Sequence, residues 1–140
     1  MSVAAENLFG AEHVRRYRET DGDVGHIWRE GSMVLLLTTT GRTSGQARTV
    51  PLIYGLTGEN PVVVASKGGA PRHPSWYLNL RRRPEAEVQI LGERFRVRAR
   101  DAEGDEREGL WRMMNEIWPH YAEYQRRTDR RIPVVVLERI

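Results

Sequence analysis

Hydrophobic and polar residues alternate most regularly in two neighbouring ranges, 85–90 and 94–100, which are separated by Leu91-Gly92. A period of two predicts β-strands, and a two-residue connection between two such strands predicts a hairpin. The outer face of this hairpin then pairs carboxylates with guanidinium groups, each pair contributing roughly 0.2–1 kcal/mol. The expected cross-strand pairs are Val88 with Phe95, Glu87 with Arg96, and Glu85 with Arg98.

Four other apolar runs, rich in β-branched residues and bounded by glycine or proline, also predict strands. One of them contains Pro51, which cannot donate to a ladder, so it marks a sheet edge, a bulge, or a place where something other than a strand lies alongside. The segment Gly55–Pro61 is expected to be a turn. The four predicted strands are Met33–Thr40, Arg48–Tyr54, Val62–Ser66 and Ile132–Arg139.

Helical spacing of apolar residues predicts three main helices. The first runs from about Ala4 to Glu19, with Phe9, Val14 and Tyr17 on one side. A short one covers Pro74–Leu80. A third follows Asp105, which forms a capping box with Glu108. Pro119 then separates off a segment that carries Tyr121 and Tyr124 on one face.

Six short, mostly antiparallel strands with flanking helices predict an α+β, barrel-like fold. At 140 residues the chain suits one domain, 1–140, in which 1–25 form the N-terminal helix and lead-in. No apolar run is long enough to span a membrane, and no signal peptide is visible, so a cytoplasmic protein is expected. With no cysteine, thiolate metal sites and thiol nucleophiles are excluded.

The net charge of +3 leaves anionic partners open. The arginines of the hairpin face predicted carboxylate partners, which favours a solvated face over a nucleic-acid surface, and no partner nucleic acid is expected. The four histidines are scattered, no metal site is predicted, and none of the familiar catalytic motifs is present.

Candidate chemistry lies in two glycine turns. The first carries Arg42, Ser44 and Arg48. The second follows the strand that ends near Ser66, and it contains the single lysine of the chain, Lys67, followed by two glycines. Free backbone N–H groups, a lysine and a helix start suit an anion such as a phosphate, although a plain strand-to-helix connection explains the same features. With Trp76 and Tyr77 just beyond, the set suits a flat, anionic organic molecule.

Two long stretches, Gly41–Leu52 and Val64–Leu80, resemble the deazaflavin-dependent nitroreductase family of actinobacteria. Tyr121–Gln125, Thr128–Arg130 and Ile132–Val134 extend the match, which covers nearly the whole chain from about Val14. The resemblance implies a split β-barrel related to the FMN-binding pyridoxamine oxidase group. It also implies that the protein binds coenzyme F420 and uses its reduced form as hydride donor.

The same resemblance implies roles for individual residues. Arg42, Arg48 and Lys67 match ligands of the phosphate and oligoglutamate tail of the coenzyme. Ser66, Gly68 and Gly69 match its backbone-contact loop. Thr43 stands where several members carry a second basic residue, so the resemblance implies that binding of the phosphate or tail is either weaker or depends more on Arg42 and Arg48. The other matched positions are Thr43, Ser44, Pro51, Trp76 and Asn79 at the cofactor, and Tyr121, Tyr124 and Ser66 at the reacting centre.

The resulting hypothesis is an F420H2-dependent oxidoreductase that passes a hydride to a quinone, an activated alkene or a nitroaromatic, with the proton coming from solvent or a tyrosine. Its enzyme rival is an FMN-dependent split-barrel oxidoreductase. Its rival from another class is a non-catalytic basic binding module for nucleic acid or a membrane surface. Homodimerisation, and peripheral membrane contact to collect a lipophilic quinone, stay open at this point.

Overall fold

The computed structural model describes residues 7–140, and Ala4–Glu6 of the expected N-terminal helix lie outside the described residues. Seven strands and four α-helices form the fold, with single 3₁₀ turns at Arg29–Gly31 and Lys67–Gly69. The strands are β1 (Val34–Thr40), β2 (Ala47–Ile53), β3 (Gly55–Thr57), β4 (Asn60–Val64), β5 (Glu85–Ile90), β6 (Glu93–Asp101) and β7 (Val134–Arg139). The helices are α1 (Gly10–Thr20), α2 (Ser75–Arg82), α3 (Gly104–Ile117) and α4 (His120–Arg126).

All strand pairings are antiparallel, and the strands form one sheet in the order β2-β1-β5-β6-β7-β4-β3. The sheet curls until β2 comes close to β4, but the two strands share no ladder. We call this opening the seam. The α+β split barrel expected from the sequence is therefore confirmed.

Apolar side chains pack on both faces of the curled sheet. One cluster fills its inside, where Leu35, Leu37 and Val88 meet α2. A second cluster lies between the other face and α3, around Met114. In β4 and β7 alternate valines belong to different clusters, so these strands are buried on both faces. A strand in that position needs an unbroken apolar run, which is the pattern that the sequence shows there.

The predicted hairpin is confirmed in its register: Val88 pairs with Phe95, and Glu87 with Arg96. Arg98 also forms the expected ion pair with Glu85, at 3.1 Å. The predicted turn over Gly55–Pro61 is wrong, because β3 and the start of β4 occupy most of it. The actual turn is only two residues long and uses Gly58 at φ +61°, a conformation that favours glycine.

Two details of the predicted helix ends are wrong. The capping box at Asp105 does not form, because α3 begins one residue earlier and no side chain caps it. Phe9 does not join the inner face of α1. It precedes the helix with extended backbone and is 72% exposed, since Gly10 turns the chain at φ +58°. Among residues 7–140, no helix combines the length and the apolar character that crossing a membrane requires.

Candidate active site

A mostly apolar opening of the described chain lies in the seam, and we call it the seam cavity. Its volume is about 690 Å³. β2 and the loop after β4 supply one set of its lining residues, and the N-terminal segment and α4 supply another. The lining residues are Phe9, Gly10, His13, Trp28, Val34, Val50, Pro51, Leu52, Ile53, Val64, Ser66, Lys67, Gly68, Pro74, Trp76, Trp118, Tyr121 and Tyr124.

Pro51 explains why the seam stays open. β2 pairs with β1 along one edge only, and Pro51 is the partner of Leu36 in that ladder. A proline has no backbone N–H, so β2 cannot pair fully with a second strand. Of the alternatives that the sequence left open, an edge strand with something other than a strand alongside describes the structure.

The glycine loop, residues 66–70, turns through three consecutive residues with positive φ: Lys67 at 47°, Gly68 at 62° and Gly69 at 82°. The two glycines suit this backbone, because glycine adopts positive φ at little cost. A Cβ on Gly69 would lie 2.5 Å from the backbone oxygen of Tyr124. Gly69 lines neither cavity of the site, and its small size is what lets α4 pack directly on the loop.

Arg130 holds the glycine loop in place, a role that sequence reasoning missed. Its guanidinium donates to the carbonyl oxygens of Ser66 (2.6 Å), Ala70 (2.8 Å) and Ala65 (3.1 Å). It also lies 3.1 Å from Nδ1 of His73, whose pKa is lowered by burial and by the arginine charge. One side chain therefore fixes both ends of the loop that carries Lys67.

A second opening, the arginine cavity, adjoins the first and shares Val50 and Trp76 with it. Its volume is about 700 Å³. The lining residues are Gly41, Arg42, Thr43, Ser44, Ala47, Arg48, Thr49, Val50, Ser75, Trp76 and Asn79. The structure thus brings Arg42, Thr43, Ser44, Arg48, Trp76 and Asn79 together as the sequence predicted, but it places Lys67 in the seam cavity instead.

The two predicted arginines of the arginine cavity differ in the hydrogen bonds that their side chains form. Arg42 donates from Nη1 to Asn79 Oδ1 at 2.8 Å and to the carbonyl of Ser75 at 3.3 Å. Buried Asn79 in turn donates to Thr39 Oγ1 at 3.0 Å, which anchors Arg42 to β1. Arg48 is exposed, and no other described residue forms a hydrogen bond or ion pair with it. Its guanidinium is therefore available to an anion.

Tyr121 and Tyr124 both line the seam cavity, as expected for a pair on one face of α4. Tyr121 is buried, and burial raises the pKa of its phenol far above the usual value, so the hydroxyl stays protonated. That hydroxyl bonds to no described residue. Tyr124 accepts a hydrogen bond from Trp118 Nε1 at 3.4 Å. Both hydroxyls therefore keep a hydrogen that can be donated to a bound molecule.

The N-terminal side of the seam cavity was not predicted from the sequence. Trp28 stacks on Trp118, with ring centroids 5.8 Å apart, and its Nε1 donates to the Leu8 carbonyl at 2.7 Å. His13 lies beside Trp28, with ring centroids 6.0 Å apart. One signal was available, because His13 is a polar residue on the same helical face as Tyr17.

The curled antiparallel sheet and its open seam define a split β-barrel, with two adjoining cavities at the seam. A family model described as F420H(2)-dependent quinone reductase matches residues 10–139. The chain belongs to this family, whose members are oxidoreductases that use coenzyme F420.

Individual relatives agree. An F420H(2)-dependent quinone reductase of Mycobacterium tuberculosis is 42% identical over 130 residues, which are 91% of this chain and 87% of the relative. A solved F420-H2 dependent reductase is 46% identical, with a TM-score of 0.70, and the match covers 75% of this chain and 93% of that one. Another solved structure, described as a domain-swapped dimer, is 42% identical with a TM-score of 0.72, covering 89% and 96%.

Replacing Arg130 by Lys tests the clamp on the glycine loop. A lysine keeps the charge but cannot reach three carbonyls at once. We expect the unfolding free energy to fall by about 1.5–3 kcal/mol in denaturant titrations, and F420 affinity to fall as well. Arg126→Lys, at an exposed arginine to which no described residue is bonded, is the matched control. Wild-type stability and affinity in Arg130→Lys would contradict the role.

Proposed function

We propose that this chain binds F420 across both cavities, with the deazaflavin ring in the seam cavity and the anionic tail in the arginine cavity, and that it reduces quinones. The observation that carries the proposal is the shared wall of Val50 and Trp76 between an apolar opening and a basic one. A molecule with a flat ring and an anionic tail fits this arrangement. The reduced cofactor, when bound, supplies the hydride.

The residues of the seam cavity would hold the ring by apolar contact and exclude water from it. Pro51 and its neighbours leave one strand edge unpaired, which suits the polar rim of a flavin-like ring. Lys67 has no described partner and contributes a positive charge in an otherwise apolar lining. The position of Lys67 in the seam cavity supports contact with the phosphate, which lies between the ring and the tail, more than with the outer carboxylates of the tail.

The residues of the arginine cavity would hold phosphate and carboxylate groups. Arg48 is available, Arg42 is positioned by Asn79, and the exposed Thr43 and Ser44 supply hydroxyls. Because Thr43 is uncharged, the affinity for the tail depends on the two arginines. Charged hydrogen bonds contribute about 1.5–3 kcal/mol each, and the outermost carboxylates are screened by salt.

The acceptor would bind beside Tyr121 and Tyr124, where the aromatic part of the seam cavity suits a planar quinone. The Tyr121 hydroxyl would donate to the acceptor oxygen as charge develops on it. Ser66, whose side chain also lines this cavity, would donate from the loop. Nitroaromatics and activated alkenes share the flat shape and electron-poor character, so we propose them as alternative acceptors. A titration that compares the affinities for F420 and FMN distinguishes the proposed F420-dependent enzyme from the alternative, an FMN-dependent split-barrel oxidoreductase.

Membrane contact and self-association belong to the same proposal. Phe9, exposed at the rim of the seam cavity, supports peripheral contact with a membrane that holds a lipophilic quinone. Co-sedimentation with vesicles measures this contact.

The related domain-swapped dimer supports a homodimer. Light scattering of the purified chain is expected to give twice the monomer mass of 16.2 kDa. A monomer at micromolar concentration would contradict it.

The two free cations of the site should contribute to cofactor affinity and little to stability. Lys67→Ala and Arg48→Ala each remove one charged partner, so F420 affinity should fall roughly tenfold to hundredfold in fluorescence titrations. Melting temperatures should stay near wild type. Arg94→Ala, on the far hairpin, is the control, since that exposed arginine also has no described partner. If all three variants bind alike, the cofactor has been misplaced.

Tyr121→Phe and Tyr124→Phe should lower kcat with quinone and leave F420 affinity nearly unchanged. Losses are expected for both variants, because the hydroxyl of Tyr121 has no described partner and that of Tyr124 accepts from Trp118 and keeps its own hydrogen to donate. The loss should vary with the acceptor. Equal losses of thermal stability and cofactor binding, with turnover per bound cofactor intact, would show instead that the tyrosines are core residues.

A further inference from the structure

His13 is almost completely buried, with 1% of its surface exposed, yet it lines the seam cavity. It lies in the first turns of α1, where its ring packs beside Trp28. None of the contacts described so far requires an ionisable ring at this position.

One ring nitrogen of His13 already forms a hydrogen bond within the protein. Nε2 lies 2.8 Å from the carbonyl oxygen of Gly25. A carbonyl only accepts hydrogen bonds, so Nε2 carries a hydrogen. The tautomer of the neutral ring is thereby fixed, with the lone pair on Nδ1.

The other nitrogen of His13 has no partner in the described chain. No described residue forms a hydrogen bond with Nδ1. Because the residue lines the seam cavity, Nδ1 is the ring nitrogen left to bond a molecule held there.

The backbone around Gly25 is built to hold this ring. Gly25 has φ +108°, and a Cβ there would lie 2.9 Å from Cδ2 and 3.0 Å from Nε2 of His13. Only glycine adopts this conformation readily and leaves room for the imidazole. The ring is thus fixed by a hydrogen bond at one nitrogen and by close packing at its edge.

We propose that His13 binds the acceptor oxygen through Nδ1 and donates the proton that this oxygen takes up. The inference deepens the proposed function and rests on it. A quinone oxygen only accepts hydrogen bonds, so it pairs with the protonated imidazole, which carries hydrogens on both nitrogens. Neutral His13 has no hydrogen at Nδ1 to offer a quinone, and it pairs with the hydroxyl of the hydroquinone product instead.

The proposed reaction transfers one hydride and one proton to the quinone. The quinone receives a hydride, with its electron pair, from reduced F420 and becomes a hydroquinone anion. The Nδ1–H bond of His13 breaks as the O–H bond of the hydroquinone forms. Neutral His13 keeps its Nε2–H bond to Gly25, and solvent reprotonates Nδ1 after release.

The wild-type pH dependence needs a control, because other ionisable groups surround His13. They are Glu12, Arg16 and Tyr17 on α1, Asp21, Asp23 and His26 in the following loop, Arg29 and Glu30 in the turn beyond, and Lys67, Tyr121 and Tyr124 on the cavity lining. Of these, His26 is the other histidine, so it serves as the control. Burial lowers its pKa, and its Nε2 bonds Tyr54 away from the cavity, at 2.9 Å.

His13→Gln is the decisive variant, because the glutamine amide keeps a donor for Gly25 but removes Nδ1. Two measurements use protein loaded with F420 and 2-methyl-1,4-naphthoquinone as probe. With oxidised cofactor, quinone affinity from tryptophan quenching should be several-fold weaker than wild type at pH 5.5 and equal to it at pH 9. With reduced cofactor, kcat should fall roughly 10- to 100-fold.

The cofactor and the fold should not respond to this substitution. F420 affinity and melting temperature should stay near wild type in His13→Gln, and His26→Gln should keep the wild-type quinone affinity and its pH dependence. Wild-type quinone affinity that does not weaken as the pH rises would overturn the inference even if His13→Gln failed to fold. So would an unchanged kcat in the variant. Failure of the wild type to bind F420 or to reduce the quinone would instead overturn the proposed function.

Discussion

The missing ladder between β2 and β4 is the constraint on which the site depends. Six pairings join the seven strands of the described sheet, and Pro51 deprives the edge strand β2 of a donor where a further pairing would close the barrel. An unpaired strand edge inside a protein would otherwise leave backbone groups unsatisfied. Under the proposed function, a flat ligand with a polar rim would meet this requirement, and its binding would also complete the fold at this edge.

The loop that carries Lys67 is stabilised from a distant part of the chain. Arg130 reaches carbonyls 60 to 65 positions earlier, and Gly69 lets the backbone of α4 lie against the loop. The glycine loop and α4 therefore hold each other in position. A change at either element is expected to alter the shape of the seam cavity, because the same few contacts position both.

Local patterns predicted the local parts of the structure well. The hairpin register followed from alternation around Leu91-Gly92, and the double burial of β4 and β7 was visible as runs of valine. β3 was missed because three residues give no measurable period. The clamp by Arg130 and the wall made by His13 and Trp28 depend on partners far along the chain or on a loop carbonyl, and no periodicity records such contacts. The two glycine turns suggested Arg42, Arg48 and Lys67 as anion-binding residues, and the family resemblance added the individual roles and the remaining positions.

The arginine-rich composition gives the single lysine a particular chemical status. Twenty-one of the 22 cationic side chains are guanidinium groups, which react poorly with the reagents that acylate amines. Apart from the α-amino group at the N-terminus, Lys67 is therefore the one place where an amine-selective reagent can form a stable bond. Since Lys67 lies in the lining of the seam cavity, a covalent label aimed at lysine is delivered to that cavity without any engineering of the protein.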